Sequence, residues 1–282
     1  YERPLTGENA VTINVPANSV VRYTLDSTDP DETSTLYTGP IEIERNTVIR
    51  ARAFRDGVEA SQIISQTYLI SVYHTMPVIC LTTDPDNLWN EEYGALADGP
   101  NIDKSTSTPW FKNATYGQKN WFPAWLEYTD ENGQLQISQG VRFRIMGQYS
   151  LDMPQKSMFI KADGQFGKSE FDYALFDDRP YTTYKSFVLR NGGQDGLYTR
   201  VMDGLEARII DQADSTLVTQ SWKPVIVYID GEYWGHFNMR ERAGVDMIAQ
   251  HEGWANADDI DLLQSDGLSS SQVKQGSNAD YK

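Results

Sequence analysis

Residues 225–239, VIVYIDGEYWGHFNM, decide the fold of this 282-residue chain. Two β-rich runs flank the Asp230-Gly231 pair, and Asp-Gly in this position favours a tight hairpin turn with positive backbone φ. We therefore predict a strand over residues 225–229, a turn at Asp230-Gly231 and a second strand over residues 232–239. A helix is expected to follow over about residues 244–250.

Strands and helices are both predicted upstream of this hairpin. Residues 140–147 alternate apolar and basic side chains, as a strand does, and residues 158–161 and 184–190 are further strand patterns. Residues 200–212 place apolar side chains at helical spacing, and Asp84-Pro85 is a helix-start signal. This mixture predicts an α+β domain over residues 73–282.

The first seventy residues have a different composition, with six arginines and no lysine. Short segments of alternating side chains at residues 11–15, 21–25, 41–43 and 48–54 are separated by turn residues about every ten positions. This spacing is typical of a small β-sandwich. We therefore predict an accessory domain over residues 1–72.

Composition limits the function classes. Hydrophobic residues form 39% of the chain, which excludes global disorder, and a formal net charge of -16 argues against nucleic-acid partners. The longest apolar runs fall well short of the ~20 residues that a membrane helix needs, so no membrane insertion is expected. A single cysteine, Cys80, and three widely spaced histidines predict no disulfide and no metal site.

The N-terminal segment resembles the immunoglobulin-like module found at the C-terminus of chitobiases and hexosaminidases. The resemblance covers about residues 8–70 and rests on residues 23–30, 36–41 and 49–53. It implies an accessory role in spacing or surface attachment, and hence an extracellular or bacterial cell-surface location.

The following segments resemble the spore-coat protein H (CotH) kinase family over about residues 76–270. The motifs that carry the resemblance are residues 140–147 with 154–157, residues 189–195 with Arg200 and Asp203, and residues 224–241. The family more often has Asn at the position of Asp230 and a second lysine at the position of Gln155. Membership implies an atypical protein-kinase-like fold, ATP with Mg²⁺ or Mn²⁺, and phosphorylation of serine in partner proteins.

Two lysines are candidates for contact with the nucleotide phosphates. The segments follow the order of a kinase lobe, in which a lysine closes a strand and a glutamate follows on a helix. Lys161 closes the predicted strand at 158–161, and Lys156 lies in the family motif. For each of them, a solvated strand lysine is the more common case. Glu206 is the helical glutamate that could orient the lysine, or an ordinary exposed side chain.

Three further residues lie in the motifs of the resemblance. Glu241 ends the second hairpin strand, where it could hold a cation, face the nucleotide or form a salt bridge that caps the hairpin. Arg200 and Asp203 are spaced i, i+3 and are expected to pair on one helix face. The resemblance raises both to candidate cofactor-binding residues.

The resemblance places the catalytic and magnesium-binding aspartates after the hairpin, beyond Lys282. Residues 73–282 are therefore expected to be the N-terminal part of the kinase domain, truncated at the C-terminus and inactive alone. Two functions remain open. One is a fragment of a CotH-type kinase that phosphorylates serine in surface or secreted proteins, and the other is a non-catalytic scaffold that binds carbohydrate or protein. The expected partner is a protein substrate or a cell-surface polymer.

Overall fold

The computed structural model describes residues 10–105, 111–214, 216–254, 256–265 and 271–279, and this part of the chain is mostly β. Its α-helices are α1 (Pro85–Trp89), α2 (Met202–Ala213) and α3 (Val245–Glu252). No described helix has the length and apolar character needed to cross a membrane. The α+β prediction for the second domain is corrected to a mostly β architecture.

The N-terminal module consists of two small sheets. Its strands are β1 (Ala10–Val11), β2 (Val20–Thr24), β3 (Thr35–Leu36), β4 (Ile41–Glu42), β5 (Thr47–Arg55), β6 (Val58–Glu59) and β7 (Ile64–Tyr68). Strands β3-β2-β5-β6 form one sheet, in which β7 also pairs with β5, and β1 pairs with β4. The strand predicted at 11–15 is shorter, because the Ile13 amide donates to the Tyr37 hydroxyl instead of to a neighbouring strand.

A closed seven-stranded barrel follows the module. Its strands are β8 (Val78–Thr82), β9 (Phe122–Thr129), β10 (Leu135–Met146), β11 (Ser157–Ala162), β14 (Ser186–Arg190), β15 (Trp222–Ile229) and β16 (Glu232–Glu241). They pair in the order β10-β11-β14-β16-β15-β8-β9, and only the β15–β8 pairing within this barrel is parallel. Two small pairs lie outside it: β12 (Phe171–Asp172) with β13 (Thr183–Tyr184), and β17 (Leu262–Ser265) with β18 (Ser271–Gln275).

Alternation along the strands fills the barrel. On β10, Val141, Phe143 and Ile145 are fully buried, and the basic residues between them lie on the outer face. The interior residues of the other strands join them in one apolar cluster. Burial of each large apolar side chain contributes about 1.5–3 kcal/mol, so this cluster is the main source of stability of the barrel.

The predicted hairpin turn, the helix after it and the helix start at Asp84 are confirmed. Asp230 and Gly231 have φ of 51° and 81°, as an Asp-Gly hairpin turn requires, and α3 follows. Asp84 caps α1, since its side chain accepts a hydrogen bond from the Asp86 amide. Cys80 is buried in β8.

Two local predictions are corrected. The strand predicted at 184–190 is divided at Lys185, where β13 ends and β14 has not begun. The helix predicted at 200–212 begins at Met202, because Arg200 has a positive φ of 66° and lies outside α2. Helix α2 lies on the outer face of the barrel, and Gly204 allows its backbone to approach the Trp222 indole closely.

Candidate anion-binding cleft

A cleft of about 680 Å³ lies on the outer face of the barrel, between the turn at residues 147–150 and the start of α2. Its walls carry four basic side chains: Lys119, Arg144, Arg190 and Arg242. Three acidic side chains line the α2 side: Asp195, Asp203 and Glu206. The lining of this cationic cleft therefore has one basic side chain more than it has acidic ones, although the chain as a whole is strongly acidic.

Strand order brings the basic residues together. Arg144 lies on the outer face of β10, Arg190 ends β14, and Arg242 follows β16 directly. These strands are near neighbours in the barrel, linked through β11. Lys119 comes from a 3-10 turn before β9, where its φ of 56° redirects the chain, and its ammonium donates to the Gly147 carbonyl at 2.8 Å.

Within the part of the chain that the structure describes, Arg144 and Arg242 are cations without an anionic partner. Among the described residues, no carboxylate forms an ion pair with either guanidinium, and the Arg144 Nε is buried without a hydrogen-bond acceptor. Burial lowers the pKa of Arg144, and burial together with the Arg144 charge lowers the pKa of Arg242. The same two causes lower the pKa of Lys119. An anionic ligand in the cleft would relieve this repulsion and partial desolvation.

Aromatic rings hold the two guanidinium groups in place. The Phe159 ring lies 5.5 Å from Arg144 and 5.2 Å from Arg242, measured from guanidinium carbon to ring centre. Trp121 lies 4.9 Å from Arg144 and 5.1 Å from Arg142. Cation–π contacts of this kind stabilise a guanidinium by about 0.5–1 kcal/mol at exposed sites. The rings therefore orient the cations without neutralising them.

Asp203 does not pair with Arg200, so the predicted i, i+3 ion pair is wrong. Its carboxylate binds Arg190 and, at 2.9 Å, Arg240. Arg200 precedes the helix and donates instead to the carbonyls of Gly196 and His236, at 2.9 and 3.2 Å. Asp203 thus lies in the cleft wall and fixes Arg190 at its edge.

The structure places neither predicted lysine in the cleft lining. Lys156 is only 7% exposed, and its ammonium donates to the carbonyls of Leu151 and Met153 at 2.6 and 3.2 Å. It also lies 3.9 Å from the centre of the Tyr116 ring, and burial lowers its pKa. Lys161 is half-buried on the outer face of β11, opposite Arg142 in register. It shares that face with Phe159 but lies outside the lining.

The two predicted glutamates, Glu206 and Glu241, differ in exposure and in their hydrogen-bond partners. Glu206 lines the cleft, is exposed and has no ion-pair partner among the described residues. Glu241 is 2% exposed and accepts hydrogen bonds from Arg179 at 2.9 Å, from the Ser221 amide at 2.7 Å and from the Tyr181 hydroxyl. These donors occupy the Glu241 carboxylate. The arrangement corresponds to the salt bridge that caps the hairpin, one of the alternatives for this residue.

The described residues contain no group of three His, Cys, Asp or Glu side chains that could hold a metal ion. The basic walls suit phosphate groups, whereas a carboxylate set for Mg²⁺ is not brought together in this part of the chain. The expectation that catalytic aspartates lie beyond Lys282 stays a prediction.

Sequence reasoning missed the four basic residues of the cleft as a group. The alternate basic residues of 140–147 were a visible signal for Arg144, because a strand exposes every second side chain. Arg190 lies in the motif at 189–195, and Arg242 directly follows Glu241. Lys119 lies in a segment of weak periodicity and gave no signal.

Comparison with protein families accounts for most of the chain. The model described as Fn3 associated matches residues 11–68, and the model described as CotH kinase protein matches residues 143–282. The chain carries a CotH kinase family domain, preceded by an Fn3-associated module. No curated protein matches the chain. Arg144, Arg190 and Arg242 lie within the CotH match, whereas β8, β9 and Lys119 precede it, so the barrel extends beyond the matched segment.

Proposed function

We propose that this chain binds the phosphate groups of ATP in the cationic cleft, as part of a CotH-type kinase that phosphorylates serine in surface or secreted proteins. The observation that carries the proposal is the pair of partly buried guanidinium groups, Arg144 and Arg242, which face the cleft without carboxylate partners among the described residues. The CotH family match supports the proposed reaction class.

The basic residues have distinct tasks in this proposal. Arg144 and Arg242 would donate hydrogen bonds to phosphate oxygens, and Lys119 would add charge at the turn of residues 147–150. Charge-assisted hydrogen bonds contribute about 1.5–3 kcal/mol each. Fixed cations of this kind stabilise the charge that develops on the phosphate groups during transfer. In the holoenzyme, Mg²⁺ or Mn²⁺ would supply further neutralisation of the phosphates.

Binding is tested first, separately from chemistry. The chain is titrated with a fluorescent ATP analogue, with and without Mg²⁺, for the wild type and for Arg144→Gln, Arg242→Gln and the double variant. We expect each single variant to weaken binding about tenfold, the equivalent of about 1.4 kcal/mol. Arg208→Gln is the matched control, since Arg208 is exposed on α2 outside the cleft.

Lys156→Met and Lys161→Gln compare the two lysines with the cleft arginines. The proposal would be contradicted if the Arg144/Arg242 double variant bound the ATP analogue with wild-type affinity while either lysine variant lost that affinity. The phosphate site would then lie at the lysines. Transfer is then assayed with labelled ATP, a divalent metal and a serine-rich acceptor, in a longer chain that includes the predicted catalytic aspartates. Phosphorylation that persists in the double arginine variant would also contradict it. Failure of the wild type to bind ATP would favour the scaffold function.

A further inference from the structure

A second pocket, of about 280 Å³, lies where the N-terminal module meets the barrel. The module contributes Asp29, Arg50, Arg52 and Gln62, and the barrel side contributes Trp125 and Phe166. Direct hydrogen bonds join the two sides near this pocket: Gln62 donates to the Gln165 carbonyl at 2.9 Å, and the Thr67 amide donates to Glu127 at 2.7 Å. Both domains therefore build the pocket.

Trp125 forms a fixed aromatic wall. It lies on the outer face of β9, and its Nε1 donates to the Ser138 hydroxyl at 3.0 Å, which sets the orientation of the indole. Its cross-strand neighbour is Gly140, which has no side chain to cover the ring. A Cβ at Gly140 would lie 1.9 Å from the Phe166 carbonyl oxygen, so the adjacent loop requires glycine here. The half-buried indole thus remains part of the pocket surface.

The polar groups of the pocket are charge-compensated, unlike those of the cationic cleft. Arg50, whose side chain is 7% exposed, pairs with Asp29 at 2.6 Å and also donates to the Ser27 carbonyl and the Ser65 hydroxyl. Arg52 pairs with Glu59. Two guanidinium groups are therefore matched by two carboxylates, and the pocket offers no excess charge to an ionic ligand.

We propose that this pocket binds one sugar ring of a neutral polysaccharide. The C–H face of a pyranose packs on an indole, while amide, guanidinium and carboxylate groups exchange hydrogen bonds with its hydroxyls, and this pocket supplies both kinds of surface. A purely apolar ligand would displace water from the Arg50–Asp29 pair and from the Gln62 amide without replacing the hydrogen bonds of that water, which is costly. The assignment is independent of the nucleotide site, because the two pockets share no lining residue.

The test uses three neutral glucose oligomers, cellohexaose, laminarihexaose and maltohexaose, titrated into the full chain by calorimetry. We expect at least one to bind and Trp125→Ala to weaken that binding at least fivefold. Gln62→Ala should weaken sugar binding too. Because Gln62 is exposed, this variant tests the site even if Trp125→Ala disturbs the fold. Trp89→Ala is the matched control, since Trp89 is 53% exposed and lies outside the pocket.

Absence of binding for all three oligomers overturns the proposal, as does binding that survives both Trp125→Ala and Gln62→Ala. Stronger binding of an oligogalacturonate, an anionic counterpart, overturns the neutral-ligand assignment. Arg144→Gln separates this site from the nucleotide site: it should leave sugar binding unchanged, while Trp125→Ala should leave ATP binding unchanged.

Discussion

Replacement of Asp230 by Asn should stabilise the protein at neutral pH and not in acid. Asp230 occupies the hairpin turn of the barrel, where its carboxylate accepts a hydrogen bond from the Thr83 amide at 2.9 Å. Burial raises the pKa of this carboxyl to about 7, although the Thr83 amide, Arg50 and Ser27 act in the opposite direction and the nearby Asp84 adds to the rise. The folded state therefore holds a proton that the unfolded chain releases at much lower pH.

The size of the effect follows from linkage. The ordinary pKa of this group is 3.8, so the pKa of Asp230 is about three units higher in the folded state. Each unit corresponds to about 1.4 kcal/mol. Below about pH 4 the proton is bound in both states and costs nothing. As the pH rises to about 7 the folded state loses about 4 kcal/mol relative to a chain without this carboxyl, and the loss then levels off.

Asn removes the titration and keeps the local geometry. Its side-chain oxygen can still accept from the Thr83 amide, and Asn readily adopts the positive φ of 51° found at this turn. The free-energy difference between Asp230→Asn and wild type should therefore widen by roughly 3 kcal/mol between about pH 4.5 and about pH 8.

Urea denaturation at the two pH values measures the difference. Asp56→Asn is the matched control, because Asp56 begins the Asp-Gly turn between β5 and β6 with a similar φ of 53° but is exposed. A stability gap for Asp230→Asn that does not change with pH would refute the argument that burial keeps this carboxyl protonated. Equal behaviour of the Asp56 and Asp230 variants would refute it as well.

Three further substitutions test the packing. Gly231→Val should destabilise the chain by about 1–3 kcal/mol because φ is +81°, and an unchanged thermal midpoint would mean that the turn can relax. Gly204→Ala should destabilise by a similar amount, since a Cβ would lie 2.6 Å from the Trp222 ring and this clash outweighs the higher helix propensity of Ala; a raised thermal midpoint would contradict this. Glu241→Gln removes the carboxylate that pairs with the buried Arg179 and should cost about 3 kcal/mol in chemical denaturation, whereas near-wild-type stability would show that the amide suffices.

Local signals in the sequence predicted local structure well. The Asp230-Gly231 turn, the cap at Asp84 and helix α3 depend on neighbours within a few residues, and each is present. The barrel was not predicted, because its closure depends on pairs such as β15 with β8, which are about 150 residues apart and carry no mutual signal. Strand β9 was not predicted, because its aromatic-rich sequence does not alternate cleanly between apolar and polar residues, so the β content was underestimated.

The candidate site shows the same limit for side chains. Lys156 lies in a family motif, yet its burial and its two carbonyl acceptors follow from the turn that folds back over it, which a linear pattern does not reveal. Arg144 and Arg242 are almost one hundred positions apart, and each alone resembles an ordinary strand-end cation. They become a site only because β10, β11, β14 and β16 are consecutive in the barrel and place both guanidinium groups against Phe159. The strand order brings together basic residues that are far apart in the sequence. In a chain of net charge -16, it thus forms a cleft in which Arg144 and Arg242 have no carboxylate partner among the described residues.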